Sequence, residues 1–165
     1  MIMIMDTLWR IVEWLLVKMK MVGAVCLVGM TFLTCADVVG RAFGYPIFGS
    51  VEIVGFMATL AVVMALPYTH QVNGHIGVEL VVRLLSEKTQ TIIDVGTGIL
   101  SLILFALVTW RMVIYAHTMH KSGEVSMNLE LPEHLIIYVT AFCLLVFTLN
   151  ILQATITNIR KLKAQ

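Results

Sequence analysis

Apolar positions run along this chain in four long blocks, with polar ones gathered in the short segments between them. The blocks cover 22–40, 51–69, 92–115 and 135–159, and each is near the roughly 20 mostly apolar residues that a membrane-crossing helix needs. The second contains Pro67 near its far end, where a freed carbonyl is satisfied by water or by a neighbouring helix. The third is uncharged from Val95 to Trp110, and Arg111 just beyond is placed to snorkel towards headgroups. The fourth carries no charge at all. The pattern predicts an all-α integral membrane protein, a single membrane domain over 1–165 with four transmembrane helices.

Two further segments are amphipathic. On a helical wheel Ile4, Leu8, Ile11, Leu15 and Met19 fall within about 80° of arc, with Asp6, Arg10, Glu13 and Lys20 opposite and Lys18 as the exception. Trp9 and Trp14 flank the apolar stripe as interfacial anchors, so 1–20 is expected to be an N-terminal helix lying at headgroup level. No basic n-region and no small-residue cleavage site supports a signal peptide there. After the second block, HIGVELVVRLLSEK sets Glu79, Arg83 and Ser86 against Leu80, Val81, Leu84 and Leu85. A short amphipathic helix between spans two and three follows, with Glu79 and Arg83 as an i, i+4 ion pair of the favourable polarity.

Composition strengthens the membrane reading. Of 165 residues 59% are hydrophobic and 13% charged, where a soluble domain carries about 25% charge. The net charge is +1, and no basic cluster is interleaved with aromatics, which argues against a nucleic-acid partner. Cys26, Cys35 and Cys143 sit inside apolar runs and read as small buried hydrophobes. With four spans, Arg10, Lys18, Lys20, Arg83, Lys88, Arg160, Lys161 and Lys163 share one side, against Arg41, Arg111 and Lys121 on the other. The positive-inside rule then places both termini in the cytoplasm.

Candidate chemistry is sparse. His70 and His75 fall on the inner side, while His117, His120 and His134 fall on the outer side. His117 with His134 is the one pair that could flank a haem, and both lie near loop ends. A metal site of His117, His120, Glu124 and His134 weighs less than histidines simply solvated in a loop. The spans offer hydroxyls and amides such as Thr31, Thr34, Thr59, Ser101, Thr148, Asn150 and Gln153, groups that more often bond their own backbone or a neighbouring helix than a solute. No Walker loop, nucleophile elbow or Cys/His metal pattern occurs, so neither an enzyme nor a cofactor is expected. Three charges stand out in DVVGRAFGYPIFGSVE between the first two blocks. Arg41 is one turn from Asp37 and close to Glu52, which predicts that it bridges both carboxylates and ties two helix ends together. The alternative is that all three are solvated among headgroups.

The order of these features resembles a known family. RAFGYPIFGSVEIV in the first outer loop, NGHIGVELVVRLL after span two and KSGEVSMNLELPEHLIIYV leading into span four look like the small membrane subunit, Q or DctQ-like, of tripartite ATP-independent periplasmic (TRAP) transporters. The resemblance covers almost the whole chain. Many relatives have a tryptophan near the positions of Gly49 or Ser50 and of His134 or Leu135. The resemblance implies a scaffold in the bacterial inner membrane, held against a large M subunit that carries the substrate and sodium sites. A periplasmic substrate-binding protein delivers an organic anion, a carboxylate or sialic acid, to that complex. Lys121, Glu124 and Glu130 are the residues expected to help receive it. Two other readings stay open, a four-helix transporter acting alone and a haem-bearing membrane anchor.

Overall fold

The computed structural model describes residues 2–71 and 86–164, with side chains described for 9–71, 86 and 88–163. Four helices account for nearly all of them: α1 (Ile2–Ala42), α2 (Ser50–Gln71), α3 (Glu87–Ser122) and α4 (Glu133–Ala164). Each is long and apolar enough to cross a membrane. The ion pair expected from Glu79 and Arg83, and most of the short helix they belong to, lie outside the described residues.

Local chemistry sets the helix ends. At the end of α1 the Tyr45 amide donates to the Gly40 carbonyl at 2.8 Å and the Gly44 amide to the Arg41 carbonyl at 3.1 Å. With Gly44 at φ 83°, this is a Schellman turn, which satisfies two otherwise orphaned carbonyls. Gly40 is required as well, since a Cβ there would lie 2.5 Å from the Tyr45 carbonyl oxygen. Ser86 caps α3, its hydroxyl accepting from the Thr89 amide at 3.4 Å, and Gly123 ends that helix in the left-handed region at φ 68°. Pro132 directly precedes α4, consistent with its missing amide and preset φ at a helix start.

The helices form two antiparallel hairpins, α1 with α2 and α3 with α4, joined mainly where α2 and α1 meet α4. Small residues let the backbones approach. Gly23 lies against Ala61 and Met64, Gly29 against Met57, and Gly98 against Thr155, the small-residue contact typical of helices packed in lipid. In the second hairpin the hydroxyls of Thr109 and Thr148 meet at 3.4 Å, and Phe105 sets its edge on Phe147 with centroids 4.6 Å apart. The Phe147 ring also meets His70 of α2 at 5.8 Å, bringing the hairpins together.

One expectation changes in the first helix. An interfacial helix over 1–20 and a separate span over 22–40 were expected, whereas α1 is one helix of 41 residues, about 60 Å long at 1.5 Å per residue. The junction, Lys18 to Val22, holds no proline or glycine to stop it. The face it buries is also displaced from the wheel's apolar stripe. Val12, Leu16 and Met19 enter a cluster with Val63, Cys143, Leu144 and Val146, while Ile11 is 54% exposed. The positions of α2 and α4 decide which residues are covered, and the widest apolar arc does not coincide with them. Trp9 packs partly against this cluster, whereas Trp14 faces outward with the Lys18 ammonium over its ring. Lys20 sits over the Tyr68 ring at 4.0 Å, a cation–π contact between α1 and α2.

Candidate functional site

Polar geometry concentrates where the α1–α2 turn meets the α3–α4 loop. Asp37, buried in the last turns of α1, receives the Arg41 Nε at 2.7 Å on one oxygen and the Ile47 amide at 2.9 Å on the other. The carboxylate therefore pins the 43–49 turn back onto its own helix. Arg41 itself keeps 56% of its side chain exposed.

Glu52 is engaged elsewhere. It was expected to receive the other arm of Arg41, but its carboxylate faces the α3–α4 loop. Oε1 accepts from the Asn128 amide at 2.7 Å and from Asn128 Nδ2 at 2.8 Å, and Oε2 accepts from the Leu129 amide at 3.1 Å. The reason is positional. Glu52 lies in the first turn of α2, the loop tip offers it two neighbouring backbone amides and the Asn128 side chain, and hydrogen bonds to an ionised carboxylate are stronger than neutral ones.

The loop is itself ordered by hydrogen bonds. Val125 and Pro132 form an isolated antiparallel bridge. The Ser126 amide donates to the Leu131 carbonyl at 2.9 Å, and the Leu131 amide returns a bond to the Ser126 hydroxyl at 3.1 Å. Glu130 takes a positive φ of 52° to close the turn. Leu129 then seats its side chain directly over Gly49, where a Cβ would come within 2.4 Å of it. Gly49 also has φ 71°, so both backbone conformation and contact call for glycine. The two hairpins are latched here by one carboxylate and one leucine.

The other residues singled out in the sequence fall around this latch. Lys121, Glu124 and Glu130 are all exposed, beside Met127, which is 97% exposed at the loop tip. His134 does not face His117, the partner expected in a haem-ligating pair. It faces His120, with ring centroids 4.5 Å apart, and Tyr138 lies on its other side at 6.4 Å. Asn128, Leu129 and Gly49 were not anticipated. The one sequence signal for them was the cluster of Gly, Asn and Pro in the two connectors, which marks turns but not which turns meet.

Comparison with known families matches residues 30–161 to the DctQ component of tripartite ATP-independent periplasmic transporters. The chain belongs to this family. The matched region contains the Asp37 and Glu52 contacts and the whole of the α3–α4 loop. Membership makes this DctQ chain a small membrane subunit of a TRAP transporter and a multi-pass membrane protein, and the family implies partnership with a large M subunit and a substrate-binding protein. No curated protein and no solved structure matches the chain.

Proposed function

We propose that this DctQ chain is a static scaffold for the large subunit of a sodium-driven importer of an organic anion, of the carboxylate or sialic acid class. On this reading it sits in a bacterial inner membrane with both termini cytoplasmic, an orientation that the eight-to-three distribution of Lys and Arg favours. The loop end of the bundle then faces the periplasm and contributes to docking the binding protein. The observation that carries the reading is the family match over 30–161.

The structure supplies surfaces of the right kind. α3 leaves Leu100, Leu104, Leu107 and Trp110 uncovered, Trp110 to 69%, an apolar face suited to lipid or to another membrane protein's helices. At the loop end the carboxylate latch presents Lys121, Glu124 and Glu130 on a connector whose backbone is already fixed, so that a partner would lose little entropy in ordering it. Exposed charges of both signs favour encounter with a soluble protein and make it salt-dependent.

Reconstitution tests the proposal. In liposomes with an inward sodium gradient, this chain alone is expected to move no carboxylate, and addition of the large subunit and a loaded binding protein is expected to produce uptake. Uptake by this chain alone would overturn the scaffold role. Charge reversal at Lys121, Glu124 and Glu130 together should weaken docking of the binding protein most at low ionic strength. Docking unchanged by all three reversals would remove these residues from the interface.

A further inference from the structure

The last turn of α3 and the first turn of α4 bring His120 and His134 together across the base of the α3–α4 loop. Their ring centroids are 4.5 Å apart with the planes at 64°. Two imidazoles bound to one ion through bonds of about 2.0–2.1 Å place their centroids about 4.5 Å apart for a right angle at the metal, and about 5 Å for a tetrahedral one. The observed spacing falls at the short end of that range.

A second observation points the same way. The Nδ1 of His134 is shut from solvent with no hydrogen-bond partner, a state that buried polar atoms rarely keep. The ring contacts around it are the His120 ring and, farther off, the Tyr138 ring, neither of which satisfies that nitrogen in the structure. His120 is exposed, which leaves the pair open to solvent on one side.

We propose that His120 and His134 bind a divalent transition-metal ion between the ends of α3 and α4. Imidazole pairs favour zinc, copper and nickel over magnesium or calcium, which prefer oxygen ligands. Among the described residues no third His, Cys, Asp or Glu completes a larger cluster, so water fills the remaining positions and the ion is exchangeable. Bound there, it clips together the two helix ends from which the 123–132 loop springs. The ion thus adds a second, reversible restraint on that loop.

The test uses the full chain in nanodiscs, purified without a polyhistidine tag and stripped with chelator. Calorimetric titration with Zn²⁺ or Ni²⁺ is expected to show one ion per chain with micromolar affinity. His120→Gln and His134→Gln should each weaken it by at least about tenfold, while His117→Gln should leave it unchanged. Hydrogen exchange supplies an independent readout. Zn²⁺ should slow exchange of the 123–131 amides in the parent chain and in neither variant, and Ca²⁺ should do nothing. His120→Gln changes an exposed side chain, so it keeps the test decisive even if His134→Gln fails to fold. Affinity that falls less than about tenfold on either substitution, or that is no better than about 0.1 mM in the parent chain, would overturn the proposal.

Discussion

Asp37 holds Arg41 and the Ile47 amide within ten residues of itself, whereas Glu52 holds the Asn128 and Leu129 amides 76 and 77 residues away. The first carboxylate folds a turn back onto the helix that carries it. The second joins two hairpins, beside the Leu129–Gly49 contact and the packing of α4 on α1 and α2. The two sit at neighbouring helix ends, fifteen positions apart in sequence by subtraction of their numbers, yet one finishes a local element and the other fixes tertiary arrangement. A charge near a span end therefore does not reveal its role by position. What decides it is which donors the connectors bring within reach.

The largest expected effect comes from breaking the local side of this comparison through its backbone. In Gly40→Ala the new Cβ meets the Tyr45 carbonyl oxygen at 2.5 Å, and a backbone atom inside a Schellman turn has no rotamer by which to retreat. The turn must open, and the bond from the Ile47 amide to Asp37 should go with it. A cost of about 1–3 kcal/mol is expected, read as a fall of roughly 5 °C in the melting temperature in detergent. A variant that melts like the parent chain would mean that the turn relaxes freely and that Asp37 does not depend on it.

Glu52→Gln sharpens the long-range side. One oxygen takes both bonds from Asn128 and the other takes the Leu129 amide, and a carboxamide can reproduce only the first arrangement. With its oxygen kept towards Asn128, the new amide nitrogen faces the Leu129 N–H, donor against donor. Hydrogen exchange should accelerate by about tenfold at Leu129 and its loop neighbours, with Ile47 unaffected. Asp37→Asn should give the reverse, loosening Arg41 while the loop keeps its protection. Equal acceleration in both regions from either variant would show that the two carboxylates act as one network.

How much of this was legible in the sequence follows the same division. The four spans could be read because length and apolarity are properties of a single segment, and the Asp37–Arg41 pair because i, i+4 spacing puts two side chains on one helix face. The unbroken α1 was not legible: an amphipathic stripe looks alike whether it lies on headgroups or packs on neighbouring helices, and here Val12, Leu16 and Met19 pack. Glu52 was assigned the nearest opposite charge in sequence. Its actual partners are the Asn128 side chain and two backbone amides, and backbone amides, which every residue but proline carries, leave no mark in the pattern. His134 was paired with His117 for the same reason, since topology placed three histidines at one end without specifying which two helical faces meet.

The difference between the carboxylates also predicts which charge swaps rescue. Arg41→Glu removes the partner of Asp37 and adds repulsion; exchanging the pair with Asp37→Arg removes that repulsion but leaves the Ile47 amide without its acceptor, so only the share of the loss due to the i, i+4 charges should return. Arg41→Glu combined with Glu52→Arg should restore none, since the new arginine faces amide donors and not residue 41. Melting temperature and co-purification with the large subunit both read this. Recovery in the second combination would reinstate Arg41 as a bridge between α1 and α2. Arg41 is 56% exposed, so its effects should shrink at high salt.

The smallest expected effect is a gain, and it comes from the two left-handed positions of the latch. Gly49 and Glu130 both hold positive φ, 71° and 52°, but they differ in what surrounds them. A side chain at Gly49 would strike Leu129, so Gly49→Ala combines steric conflict with backbone strain. Glu130 already carries an exposed side chain there and suffers the strain alone, about 1–2 kcal/mol for an L-residue. Glu130→Gly relieves that strain and gives back about 0.5–1 kcal/mol through the greater freedom of the unfolded chain. The net expectation is a stabilisation of about 0.5–1 kcal/mol, visible as slower exchange of the Leu131 and Ser126 amides. A loss of protection there would mean that the Glu130 side chain contributes to holding the loop, and that the loop's order does not come from Glu52 and the Ser126–Leu131 bonds alone.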